Sequence, residues 1–162
     1  MYRTRLLTAM AVFIAIAVMG SQLLWFPAGI AKAYPVQHAV NVMAAITLGP
    51  GPAVIIAFMT GLIRNMLGLG TLLAFPGGMI GAFLAGVLYK VFKRKILAVA
   101  GEVVGTGIIG SLFSVPYANL LMGSSLGAFA FLPSFLVSSI SGAIIGYLVV
   151  IRVKQTSPLQ KI

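Results

Sequence analysis

Glu102 is the sole acidic residue in this chain of 162 and His38 the sole imidazole, and cysteine is absent. Glycosidic acid–base catalysis needs two carboxylates, a catalytic metal needs about three protein ligands, and covalent thiol chemistry needs a thiolate. None of those sets can be assembled. No G-x-x-x-x-G-K-[ST] stretch is present to cradle nucleotide phosphates, so any uphill work draws on a partner or an ion gradient. The chain is expected to hold no cofactor or metal and to bind a small solute rather than transform it.

Groups suited to binding are better represented. Gln37 and His38 stand four and three residues before Asn41, which puts the three on adjoining parts of one helical face. In an otherwise apolar segment such a face either lines a cavity or anchors the helix entrance. Arg64-Asn65 ends another apolar run, where the guanidinium fork can hold a polar ligand group or snorkel to a headgroup layer. Glu102 lies within Gly101-Glu102-Val103-Val104-Gly105-Thr106-Gly107. A buried acid costs about 2.5–3.5 kcal/mol on insertion scales, so it must face protein or water. It can accept a hydrogen bond from a solute or pair internally with Arg64, and both readings stand. Thr71, Thr106, Asn119 and Ser138 add hydroxyls and an amide that can serve a solute or join helices. Trp25, Phe26, Tyr34, Phe75, Tyr117, Phe129 and Phe131 fall towards one side of the apolar segments. An interfacial belt accounts for most of them. Trp25 and Tyr34, which bracket the connection at 26–35, and Phe75 are candidates to stack on a flat heterocycle.

The elements that must position these residues follow from composition. At 60% hydrophobic and 7% charged, the chain is far from a globular balance, and its solvent must be mostly lipid. The net charge of +10 sits in small clusters between apolar runs rather than on water-exposed faces, which argues against a nucleic-acid partner. Gly, Pro and charge punctuation delimits six apolar segments at 6–25, 36–48, 52–67, 75–91, 96–121 and 132–151. The start has the look of a secretory signal, but its apolar run continues through Trp25 and the A-x-A pattern Ala31-Lys32-Ala33 lies too far beyond it. A first spanning helix is expected instead. With the N-terminus inside, Arg3, Arg5, Lys90, Lys93, Arg94, Lys95, Arg152, Lys154 and Lys161 take cytoplasmic positions, leaving Lys32 and Arg64 outside. Both termini are then cytoplasmic and the number of spans is even: six, or four if the second and third segments form a re-entrant pair. The expected fold is an all-α, multi-pass membrane protein, a single transmembrane domain over 1–162.

The second segment, 13 residues or about 20 Å of helix, cannot cross a hydrocarbon core of ~30 Å alone. Either it begins earlier, within 26–35, or its outer connection dips into the membrane beside a cavity in the outer half. Small residues four apart, at Ala11/Ala15, Gly77/Gly81, Gly101/Gly105 and Gly142/Gly146, predict faces where helix backbones approach closely.

The stretches Trp25-Phe26-Pro27, Pro35-Val36-Gln37-His38 through Asn41, Gly61-Leu62-Ile63-Arg64-Asn65, Thr71-Leu72-Leu73-Ala74-Phe75-Pro76-Gly77, and Gly101-Glu102 through Thr106-Gly107 together resemble the ThiW family. The resemblance covers nearly the whole chain. It implies a substrate-binding S component of an energy-coupling-factor (ECF) importer in a prokaryotic cell membrane, with six helices and a pocket in the outer half. It further implies hydroxyethylthiazole, a thiamine precursor, as solute, and a transmembrane T component with two ABC ATPases as partners. Ala11 and Ala15 resemble the small-residue motif with which S components meet the T component. Two other readings of the same residues are an autonomous carrier with Glu102 as its proton site, and a scaffold whose polar groups only stitch helices together.

Overall fold

The computed structural model of the protein describes residues 2–123, 125, 127 and 129–153. Lys154 and Lys161 lie outside them. Helix α1 (Tyr2–Leu23) leads into an antiparallel hairpin of β1 (Phe26–Ala28) and β2 (Ala31–Ala33). Helices α2 (Pro35–Thr47), α3 (Pro50–Met66) and α4 (Ala74–Phe92) follow. Then α5 (Lys95–Glu102), a π-helical stretch (Val103–Gly110) and α6 (Ser111–Met122) run on as one rod, and α7 (Leu132–Arg152) closes the described chain. Each expected apolar segment corresponds to one rod.

Burial is inverted relative to a water-soluble protein. Leu7, Ile16, Phe83, Val104 and Ile144 point outward, whereas Arg64, Glu102, Asn41 and Thr106 are almost wholly enclosed. Only an apolar surround makes that arrangement favourable. Among the described residues four rods are long and apolar enough to cross a membrane: Arg3–Leu23, Ala74–Phe92, Lys95–Leu121 and Leu132–Arg152. The protein is an all-α membrane protein with one small hairpin.

Helix α2 is the hub, with α7, α4, α1 and α3 packed around it. Two glycine seams bring backbones close enough for this. A Cβ on Gly142 of α7 would lie 2.6 Å from His38 Cβ, and one on Gly146 would lie 2.7 Å from the Ala39 carbonyl oxygen. On the other side, a Cβ on Gly105 of the π-helical stretch would lie 2.7 Å from Gly81 Cα of α4. These are the small-residue faces expected at Gly77/Gly81, Gly101/Gly105 and Gly142/Gly146. Ala11 and Ala15, by contrast, are exposed on the outside of α1.

The short α2 does not gain length by starting within 26–35. Pro35 opens the helix and holds Tyr34 out of it at φ −128° and ψ 76°. The deficit lies at the other end. The α2–α3 turn abuts α4 at Gly86, whose Cβ would lie 2.7 Å from Pro50 Cβ. That level is about 9 Å short of the α4 terminus, six residues on. At the opposite end, the connection folds into the hairpin, with Phe26 paired to Ala33 and Ala28 to Ala31. Gly29 makes its two-residue turn at φ +63°, a conformation that glycine adopts without steric cost. Ser134 Oγ donates to the Ala28 carbonyl, and the Tyr34 N–H donates to Ser138 Oγ at 2.8 Å, so α7 holds both the strand and the helix entrance.

Candidate functional site

Beneath the hairpin lies a cavity of about 640 Å³, within the range of small-molecule sites. It is built where the ends of α1, α3 and α6 meet the beginnings of α2, α4 and α7, at the end of the bundle opposite Arg3, Arg5, the Lys90–Lys95 cluster and Arg152. Its wall is mostly apolar with a few convergent polar groups.

Arg64, 1% exposed, dominates the polar side. One terminal nitrogen donates to Gln37 Oε1 and the other to the Leu69 carbonyl at 3.1 Å, while the guanidinium carbon sits 3.9 Å from the centre of the Tyr34 ring. Its Nε is buried without an acceptor among the described residues. Across the mouth, Lys32 of β2 places its ammonium 4.0 Å from the centre of the Trp25 ring.

His38 borders the cavity on one side of its ring and contacts Glu102 on the other, with Nδ1 2.8 Å from Oε1. An ionised carboxylate only accepts, so with Glu102 charged Nδ1 carries the proton and Nε2 is not engaged by Glu102. The same carboxylate oxygen accepts from Asn41 Nδ2 at 3.1 Å and from Thr106 Oγ1 at 3.0 Å. Asn41 also donates to the Gly78 carbonyl of α4, while the single hydroxyl proton of Thr106 is shared between Glu102 and the Gly77 carbonyl, each 3.0 Å away. The π-helical stretch begins directly after Glu102, and wide turns of this kind frequently mark functional positions. Gly81 leaves the room these groups occupy, since a Cβ there would lie 2.7 Å from Glu102 Oε2.

Of the residues singled out from sequence, Trp25, Tyr34, Gln37, His38, Arg64, Thr71, Thr106 and Ser138 border this one cavity. Five others do not. Glu102 and Asn41 form the layer behind His38 and Thr106, because the glycine seams draw α4 and the π-helical stretch in behind α2. Glu102 is not paired with Arg64, which faces Gln37 and Tyr34 instead. Asn65 Nδ2 donates to the Gly61 carbonyl at 2.9 Å and the Thr71 carbonyl at 3.1 Å, tying down the 67–73 loop rather than facing the cavity. Phe75 packs against Phe58, ring centres 5.5 Å apart, and over Gly61. Asn119 is on the exposed side of α6. Gln22, Lys32 and Ser134 are wall residues that sequence reading did not select. Lys32 carried a signal: in the orientation expected from the Lys/Arg bias it is one of two cations left outside.

A comparison with curated proteins finds no match to this chain. A family model described as thiamine-precursor transporter protein matches residues 7–156, nearly the whole length, and so the chain belongs to the ThiW family of thiamine-precursor transporters.

Proposed function

We propose that this transporter is the solute-capturing S component of an ECF importer, taking up hydroxyethylthiazole. The cavity carries this reading: half-open beneath the hairpin, flanked by aromatic rings, and at the bundle end opposite the cationic cluster. The Lys/Arg bias assigns the cationic end to the cytoplasm, so the cavity opens outward and six rods cross or enter the bilayer with both ends of the chain inside. In this reading Arg64, Gln37 and His38 hold the polar groups of the solute, and Trp25 and Tyr34 flank its ring. Asn41 and Glu102 hold His38 in place from behind. Thr71, Thr106 and Ser138 supply further hydrogen bonds at the wall. The chain belongs to a transporter family and is not an enzyme. ATP is therefore consumed elsewhere, by ATPases coupled through a T component, and the protein reorients against that partner after loading.

Calorimetric titration of the purified protein in detergent tests the capture step. Saturable 1:1 binding of hydroxyethylthiazole, absent for thiamine and for the hydroxymethylpyrimidine precursor, is the expected result. No heat from any of the three, with the helical signal intact, overturns the reading.

The docking face is proposed on α1, whose spanning window is the least enclosed of the four at 22% buried. Ala11 and Ala15 lie exposed along it. Ala11→Trp is expected to block uptake in cells while leaving thiazole affinity within about twofold, because a bulky ring prevents close backbone approach by a partner. Unimpaired uptake would remove α1 from the docking surface.

One observation favours the proton-coupled carrier as runner-up: Glu102 Oε2 is buried with no hydrogen-bond partner among the described residues. Uptake by the isolated protein in vesicles, driven by a pH gradient, would select that mechanism.

A further inference from the structure

The cavity has no counter-ion for an organic cation. Glu102 is the only acid in the entire sequence, and it is not a wall residue. Its accepting oxygen is already shared by His38, Asn41 and Thr106. Two permanent cations, Lys32 and Arg64, border the space directly, so the site is net positive.

Each of the two strongest aromatic acceptors already carries a cation on one face. Indole and phenol rings are the best acceptors of organic cations. Here Trp25 carries the Lys32 ammonium at 4.0 Å, and Tyr34 carries the Arg64 guanidinium at 3.9 Å. The remaining wall rings, Phe131 and Phe135, pack against each other with centres 6.2 Å apart. A quaternised ring stacked on the second face of either ring meets an aromatic system already holding a cation, beside two like charges and with no counter-ion on the wall.

We infer that Lys32 and Arg64 act as a charge filter in which the protein's own cations occupy the two cation-binding rings, so that the cavity accepts an uncharged azole and rejects the same ring once its nitrogen is quaternised. The inference rests on the capture reading and deepens it by giving the solute's charge class. It also sets the direction of selectivity between an uncharged ring and any product in which that ring nitrogen has been alkylated. Such a product carries an added alkyl group as well as a charge, so bulk and charge are separated only by removing one of the cations.

The test compares hydroxyethylthiazole with its N-methylthiazolium derivative by calorimetry, on the wild type and on Lys32→Gln. Lys32 is exposed and on the hairpin, so its replacement leaves the helical bundle intact. Wild type is expected to bind the neutral ring on the order of 100-fold more tightly. Lys32→Gln should narrow that ratio about tenfold, by raising affinity for the thiazolium relative to the neutral ring. Equal wild-type affinities would overturn the filter while leaving the capture reading standing. A preference that Lys32→Gln leaves unchanged would also overturn it, since lost lone-pair contact or methyl bulk would then be the cause. Binding of neither compound removes the capture reading and the filter together.

Discussion

Glu102→Ala is expected to weaken hydroxyethylthiazole binding by more than tenfold and to lower stability by about 2 kcal/mol, the order of cost when a buried donor loses its acceptor. The carboxylate is wholly buried and accepts from His38, Asn41 and Thr106, which come from two different rods. Asn41 and Thr106 retain carbonyl acceptors on α4 after the change, but His38 Nδ1 has no second partner among the described residues. The imidazole then loses both its tautomer preference and its orientation towards the cavity. Glu102→Gln keeps the volume and one acceptor oxygen, so it should recover much of the stability and less of the affinity. Thermal unfolding followed by circular dichroism, with calorimetry on the same samples, separates the two effects. Wild-type affinity in Glu102→Ala would show that the layer behind His38 plays no part in binding.

Gly142→Leu should prevent accumulation of folded protein, while Gly51→Leu should be tolerated. A side chain at Gly142 is driven into the Pro35 backbone and lies 2.6 Å from His38 Cβ, at the packed face between α2 and α7. The near atoms are main chain or Cβ and cannot swing away, so the cost reaches or exceeds the ~3 kcal/mol top of the usual overpacking range. Gly51, in the first turn of α3, has open space for 4 Å around the position a Cβ would take, and leucine is the better helix former there. Recovery from membranes as a monodisperse peak in size-exclusion chromatography distinguishes the pair. Normal recovery of Gly142→Leu would mean that the α2–α7 seam can open without loss of the fold.

Much of this architecture was legible in the sequence, for reasons that differ from residue to residue. The rods could be read because apolar runs and Gly/Pro punctuation are local signals, and the polar face of α2 because i, i+3 and i+4 geometry is local too. The partner of Glu102 could not. Helical spacing says which residues share a face but not which helix that face meets, and Arg64 offered the simplest charge balance while His38 proved to be the neighbour. The π-helical stretch differs from an α-helix by one residue in its hydrogen-bond step, too little to alter the hydrophobic pattern of 103–110. The hairpin escaped notice because strands of three residues have almost no periodicity, although Gly29 marked the turn. Lys32 was visible as an outlier of orientation, but its seat over Trp25 depends on the strand pairing that sets it beside the cavity.

Trp25 is the only tryptophan in the chain, and it lies on the cavity wall beneath a lysine ammonium. Every photon of indole emission from this protein therefore originates at the proposed site of capture. A cation 4.0 Å from the ring perturbs that emission, so a solute that displaces Lys32 or shields it from the indole announces itself by colour and intensity in the purified protein, without a label.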